Sequence, residues 1–338
     1  MGNPLAPRHF ITSLLVLATG ALPGVCFAQK GRLKAKLGEL NVRVRTEHYE
    51  LAGTVSDRVL QEYGQMLESI YREYAAGFSE LVGPAPAPES KPHRGKKAAT
   101  QPAPGAGEHE ESEQSQTGPE AERRFRVLVF GTEVEYQEFG ADFLAGGSEF
   151  TTGKFIASLE ALLIADQGNP DSTRRILFHE AFHQFMHRFI KDPPVWLNEG
   201  LATHYSYAEV GPGGLRFDDP STGRWKLVRK LIDKGQALPL RDVVKAERRE
   251  FYDKTPVKVS GFDDLARRHL YYAEAYTLIH TLLADASGRE RLRNYVRDLG
   301  QGGGQNTARI TEEYFGPTVC DHMTPYWVAH VQSRPENR

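Results

Sequence analysis

Cysteine is nearly missing from this chain of 338 residues, which has only Cys26 and Cys320. Cys26 falls within an N-terminal leader, so only Cys320 remains after processing and no intramolecular disulfide can form. A lone thiol of this kind is a small packing residue. An excess of either charge is missing too. The formal net charge is −2, from 42 basic and 44 acidic side chains. Nothing in that balance calls for nucleic acid or a strongly charged membrane as partner. Long apolar runs are also lacking. The longest, from about Phe10 to Leu22, is too short and too interrupted by glycine to span a bilayer. No internal repeat is visible.

What that run does resemble is the apolar part of a secretory signal peptide. Arg8 precedes it, and Cys26-Phe27-Ala28 before Gln29 has the small-x-small form of a cleavage site. Residues 1–28 are therefore read as a leader cleaved after Ala28. The mature protein is expected to be secreted or periplasmic, with no stable membrane insertion. About 310 residues remain, enough for one large domain or two modest ones.

Large apolar side chains are absent from Gly83 to Glu122, where Pro, Ala, Gly, Glu, Gln, Ser and Lys dominate. Such a stretch cannot bury enough apolar surface to order itself. The expected organisation is an N-terminal strand and helix (29–82), a disordered insertion (83–122), a central core (123–207), a helical C-terminal part (208–331) and a frayed tail (332–338).

Periodicity fills in this outline. Leu40–Tyr49 alternates as a strand, and Ser56–Leu81 has a capping signal and a helical period. Phe125–Phe130 is a short strand. Thr132 caps a helix that Gly146-Gly147 ends. Phe150–Ser158 and Ala161–Ala165 are two further strands. Helices are expected over Trp225–Lys234, Leu240–Phe251, Tyr271–Ala284, Arg289–Leu299 and Ala308–Phe315. Gly211-Pro212-Gly213-Gly214 is a surface turn, and Gly300 to Gly304 a flexible link. The fold class is α+β: a small mixed β-sheet packed on helices, with a helical C-terminal part.

The chemistry is concentrated in one segment. His179-Glu180-Ala181-Phe182-His183 is followed sixteen positions after His183 by Glu199, in Trp196-Leu197-Asn198-Glu199-Gly200-Leu201-Ala202. Asn169-Pro170-Asp171-Ser172 is a helix start, with Asp171 or Ser172 as N-cap. Apolar residues recur through Ile176, Leu177, Phe178, Phe182, Phe185 and Met186, and Asp192-Pro193-Pro194 ends the run. Residues four apart on a helix share a face, so His179 and His183 can offer two imidazoles to one metal ion. Glu180 lies beside them as a general base, and Glu199 is the natural third ligand, leaving a fourth position for water. The competing reading is a core helix whose histidines bond to backbone. Buried imidazoles and a carboxylate need partners, and Zn2+ supplies them.

These two segments together resemble the gluzincin zinc metallopeptidases, the thermolysin-like enzymes and zinc aminopeptidases. Small secreted peptidase-MA-like domains of unknown function are similar as well. The resemblance implies a gluzincin-like catalytic domain with zinc held by His179, His183 and Glu199. It also implies a tyrosine that donates to the transition-state oxyanion from the start of a later helix; Tyr272 matches best, with Tyr271 and Tyr276 as rivals. The chain departs from the pattern in two places. The interval from His183 to Glu199 is short, and Thr203, followed by His204, stands where thermolysin-like enzymes carry a histidine-orienting aspartate. Metzincins are excluded, since Met186 and Phe189 replace the glycine and histidine they need. No aminopeptidase exopeptidase motif precedes the helix. His187 is expected as a terminal-turn histidine that does not ligate, and His204 lies at best behind the ligands.

The function expected is that of a secreted zinc metallohydrolase, a peptidase acting on a peptide or protein substrate with Glu180 as base. The alternative is a zinc-stabilised binding or structural module that has lost catalysis. Such a module would need His179, His183 and Glu199 but not Glu180.

Overall fold

The computed structural model describes residues 42–82, 124–141, 152–211, 214–217, 223–259, 262–302 and 306–334. The leader, the insertion expected over 83–122, Gly146-Gly147, Pro212-Gly213 and Gly303-Gly304 lie outside them.

The architecture is α+β. A five-stranded mixed sheet has the order β1-β2-β3-β5-β4. Its strands are β1 (Val42–Arg45), β2 (Tyr49–Gly53), β3 (Phe125–Phe130), β4 (Gly153–Ile156) and β5 (Ala161–Ala165). β2, β3 and β5 run parallel, while β1 and β4 are antiparallel edges. β3 and β5 are almost wholly buried, as central strands covered on both faces must be.

One face of the sheet carries α1 (Asp57–Gly77), extended by the short α2 (Ser79–Val82), and also α4 (Pro170–Phe189); the other carries α3 (Glu133–Gly140). Behind α4 lies α5 (Val195–Ser206). The C-terminal part is helical: α6 (Gly223–Asp233), α7 (Leu240–Lys245), α8 (Arg248–Phe251), α9 (Arg267–Ala284), α10 (Ala286–Gln301), α11 (Thr307–Phe315) and α12 (Pro317–Ser333). Two small hairpins, β6 (Glu209–Gly211) with β7 (Gly214–Arg216) and β8 (Pro256–Val259) with β9 (Phe262–Ala266), complete the described elements.

The main core joins sheet to helices through aromatic side chains. Tyr74 packs on Phe182, Phe185 and Tyr205, and its hydroxyl donates to the Phe178 carbonyl at 2.8 Å. Truncating a buried ring such as Phe182 costs about 3–5 kcal/mol. This cluster therefore fixes α4 against α1 and α5.

Several local expectations are corrected. Of the strand expected over Leu40–Tyr49, Leu40 and Asn41 lie outside the described residues, and the rest forms β1, a turn and the start of β2. Glu68 of α1 makes the turn: its Oε1 accepts from Thr46 Oγ1 and the His48 backbone N–H, and its Oε2 meets His48 Nδ1 at 2.7 Å. α4 starts earlier than expected. Its N-cap is Asn169, whose Oδ1 accepts from the Asp171 and Ser172 amides, with Pro170 in the first helical position. The helix expected over Leu240–Phe251 is two helices. Ala246 leaves the helical conformation, and Glu250 reaches back to the Glu247 amide to start α8. The β8–β9 hairpin has no counterpart in the sequence reading, and α12 lies in the expected helical C-terminal part without having been delimited there. α12 keeps Gln332 and Ser333 helical, inside the tail expected to fray.

Candidate metal centre

Two helices build the site. Helical period places His179, Glu180 and His183 on α4, within one turn of each other. α5 brings Glu199 across to them. Gly200 makes that position possible, because a Cβ there would stand 2.9 Å from the Ala275 carbonyl oxygen of α9 and 2.7 Å from Ile279 Cγ1. On the other side, Gly153 lets edge strand β4 lie against α4. A Cβ at Gly153 would collide with Ile176.

His179 Nε2 lies 3.4 Å from Glu199 Oε2, and His183 Nε2 lies 3.7 Å from Glu199 Oε1. The two imidazole rings meet edge to face, with centroids 4.7 Å apart. Two ligands about 2.0–2.1 Å from one tetrahedral ion are about 3.3 Å apart, close to the two histidine–carboxylate spacings, each of which runs to a different Glu199 oxygen. His183 and Glu199 are 7% and 3% exposed. Glu199 Oε2 and His183 Nδ1 are both buried without a well-formed hydrogen bond. Leaving polar atoms so buried and unsatisfied costs about 1–3 kcal/mol each. A cation among the three donors would relieve that cost at the carboxylate, so the donor set fits zinc.

Electrostatics separates the two carboxylates. Burial raises the Glu180 pKa above the ordinary carboxylate value, against the lowering effects of His183 and the Phe155 amide. That amide, on β4, donates to Glu180 Oε2 at 2.9 Å. Burial also opposes ionisation of Glu199, but His183, His179 and the hydroxyl of Tyr252 outweigh it and bring its pKa down to about 2. One carboxylate is thus held ready for protons and the other held ionised.

Tyr252 was not anticipated. Its hydroxyl donates to Glu199 Oε1 at 2.7 Å. It sits just past α8, in a stretch with no motif of its own, and no sequence signal marks it. Tyr272, near the start of α9, reaches the same carboxylate: burial and then Glu199 push its hydroxyl pKa well above the usual value. Tyr271 instead packs on Phe251. Tyr276 turns toward Tyr207, Trp225 and His280. Of the three sequence candidates, only Tyr272 is brought to Glu199.

The other histidines stand apart from this centre. His187 Nδ1 meets the Lys191 carbonyl at 3.1 Å at the end of α4. His204 stacks on Phe217 and abuts His280. Burial and then His280 bring its pKa down to about 3. Thr203 is buried with its hydroxyl unpartnered, so it provides no substitute for the missing aspartate. Ligand atoms of His179, Glu180 and His183 lie within 4.8 Å of one another, and so do those of a second cluster, Glu47, His48 and Glu68. There both Glu68 oxygens are already taken by the β1–β2 turn.

The chain matches no protein-family model, and comparison with curated proteins found no match. The functional reading therefore rests on the residues themselves. Among the described residues, no helix is long and apolar enough to cross a membrane.

Proposed function

We propose that this chain is a secreted, zinc-dependent peptidase of the gluzincin type. One observation carries the reading. Three donors from two helices converge at 3.4 and 3.7 Å, and a half-buried glutamate of raised pKa stands next to one of them. His179, His183 and Glu199 would hold the ion. When bound, zinc supplies a Lewis acid and lowers the pKa of water toward neutrality.

The remaining steps belong to side chains of this chain. The Phe155 amide anchors Glu180 Oε2, which leaves Oε1 to take a proton from the attacking water and pass it to the leaving amine. A pKa raised above the ordinary carboxylate value makes Glu180 a stronger base. Tyr252 and Tyr272 stay protonated, because burial raises both hydroxyl pKa values. Tyr272 would donate to the developing oxyanion. Among the described residues β4 has a single strand neighbour, β5; the Phe155 amide turns from β4 to Glu180, so an extended peptide could lie alongside that edge.

The test is metal analysis combined with a diverse quenched-peptide library, on wild type and Glu180→Gln. Wild type should carry about one zinc and cleave peptides. Glu180→Gln should keep the zinc and lose roughly 10²-fold or more in turnover. Tight zinc with no cleavage of any peptide would favour the binding-module reading. Equal cleavage by both proteins would place the activity elsewhere.

A further inference from the structure

Next to the metal centre is a cleft with about 530 Å³ of space, open solvent at its mouth included. It shares two walls with the centre: α4, which carries Glu180, and β4, whose Phe155 bonds Glu180. Its rim is basic. Arg124, Arg126, Arg188 and Lys191 line it, against a single carboxylate, Glu160. The Arg188 guanidinium lies 3.5 Å over the Phe125 ring, which holds its planar fork in place. His187 meets Phe155 on the side of β4.

The floor of the cleft is built as well. Gln184 is 3% exposed, and its Nε2 donates to the carbonyls of Arg126 and Glu160 at 3.0 and 3.3 Å. It therefore closes the end of the sheet between β3 and β5. Gln184 Oε1 is buried with no hydrogen-bond partner; as an acceptor it takes only a donor, so a carboxylate belongs at the basic rim and not on this floor. Complementing the negative end of α4 would account for Arg188 and Lys191. It does not account for Arg124, which enters from the start of β3, is tied down by its Nε donating to the Thr46 carbonyl at 2.8 Å, and lines the cleft.

Position gives the cleft a meaning. Gln184, His187 and Arg188 lie four to eight residues past Glu180 on α4. At about 1.5 Å per residue this is about 6–12 Å from the base. An extended peptide advances about 3.3 Å per residue, so the cleft is reached two to four residues from the scissile bond. We propose that this cleft is an anion subsite, which binds a carboxylate of the peptide substrate through Arg188, Lys191 and Arg124. The assignment rests on the peptidase reading of the neighbouring centre. Both an acidic side chain and a free C-terminus supply this chemistry.

The experiment measures binding and cleavage separately. Zinc-loaded Glu180→Gln protein is titrated by fluorescence anisotropy with end-blocked peptides in which Glu or Gln is walked through the sequence. A second pair compares a free C-terminal acid with its amide. One position, or the C-terminus, should bind about tenfold more tightly as the acid, the scale of a few partly exposed charge-assisted contacts. The acid-over-amide ratio should fall to within about twofold when Arg124→Glu and Lys191→Glu are added. It should take an intermediate value with Arg124→Gln and Lys191→Gln, and shrink at high salt. Circular dichroism establishes that each variant is folded. Equal binding of acid and amide everywhere, a ratio that survives charge reversal, or no peptide binding at all would overturn the subsite. Wild-type cleavage of the same peptides decides the peptidase reading separately. An acid preference without cleavage leaves the subsite standing and removes the hydrolase; cleavage without an acid preference does the reverse.

Discussion

The Tyr252 hydroxyl donates a 2.7 Å hydrogen bond to Glu199 Oε1, across 53 positions of sequence. Tyr272 approaches the same carboxylate from another helix. The third candidate ligand thus has two phenols around it. The two tyrosines are assigned different tasks, and mutation separates them. Tyr252→Phe should weaken zinc binding about 10–100-fold, as loss of a ligand-orienting partner does. Tyr272→Phe should hold zinc almost unchanged and lower turnover about 10²–10³-fold. Competition with a chromogenic chelator and steady-state kinetics measure the two effects. Identical behaviour of the two variants would refute the division of labour.

Zinc should stabilise the fold as well as serve chemistry. Free ion at about 1,000 times its Kd adds about 4.1 kcal/mol to the native state. Chelation should therefore lower the thermal midpoint, and added zinc should restore it. His179→Ala, His183→Ala and Glu199→Ala should each lose most of the zinc and most of the chelator sensitivity. Full zinc content in His183→Ala would show that the ligand assignment is wrong.

Gly200 tests the helix crossing behind the site. In an exposed helix, Gly→Ala gains about 0.8–1.0 kcal/mol of propensity. Here the new methyl would sit 2.9 Å from a backbone oxygen of α9, which cannot move aside as a side chain can. Overpacking of about 1–3 kcal/mol should win. Gly200→Ala is expected to lower the urea midpoint and, because Glu199 precedes it, to weaken zinc binding. A variant as stable as wild type would mean that α5 and α9 separate at little cost.

Glu274 sets a pH dependence independent of the metal. Burial raises its pKa to about 8, although its Oε1 accepts from the Leu238 amide at 3.0 Å. The unfolded chain releases this proton near the ordinary carboxylate value, about 4.3, and the folded chain keeps it to about 8. Between those values the native state binds more protons, so stability falls as pH rises. The contribution is complete below the unfolded pKa and lost as pH passes through about 8. Thermal midpoints measured across that window should decline for wild type, and Glu274→Gln should flatten the slope. Equal slopes in the two proteins would remove Glu274 as the source.

Much of the local structure was legible in the sequence. Phe125–Phe130 forms the strand that its apolar run indicates, and Thr132 caps α3 through the capping box it begins. The four-residue spacing of His179 and His183, uninterrupted by Gly or Pro, fixes their common face on α4, since helical period is a local property. The same reasoning runs out at turns made by distant residues. Glu68 folds the β1–β2 hairpin from twenty positions away, and no alternation pattern contains that information. It also fails where two periods look alike: Leu240–Phe251 reads as one helix because the break at Ala246 is made by backbone, not by a breaker residue.

The residue types of the candidate metal centre, and the pairing of a helical His-Glu-x-x-His with a following glutamate, were therefore set by the sequence itself. Packing alone decided which groups surround them. Tyr252 on Glu199, the Phe155 amide on Glu180, Tyr272 rather than Tyr271 or Tyr276, and the basic cleft along α4 all depend on contacts between elements far apart in the chain. Such contacts follow from how the aromatic core seats α4, α5 and α9 and how Gly153 and Gly200 let backbones approach. Those are properties of shape in three dimensions, which neither period nor spacing encodes.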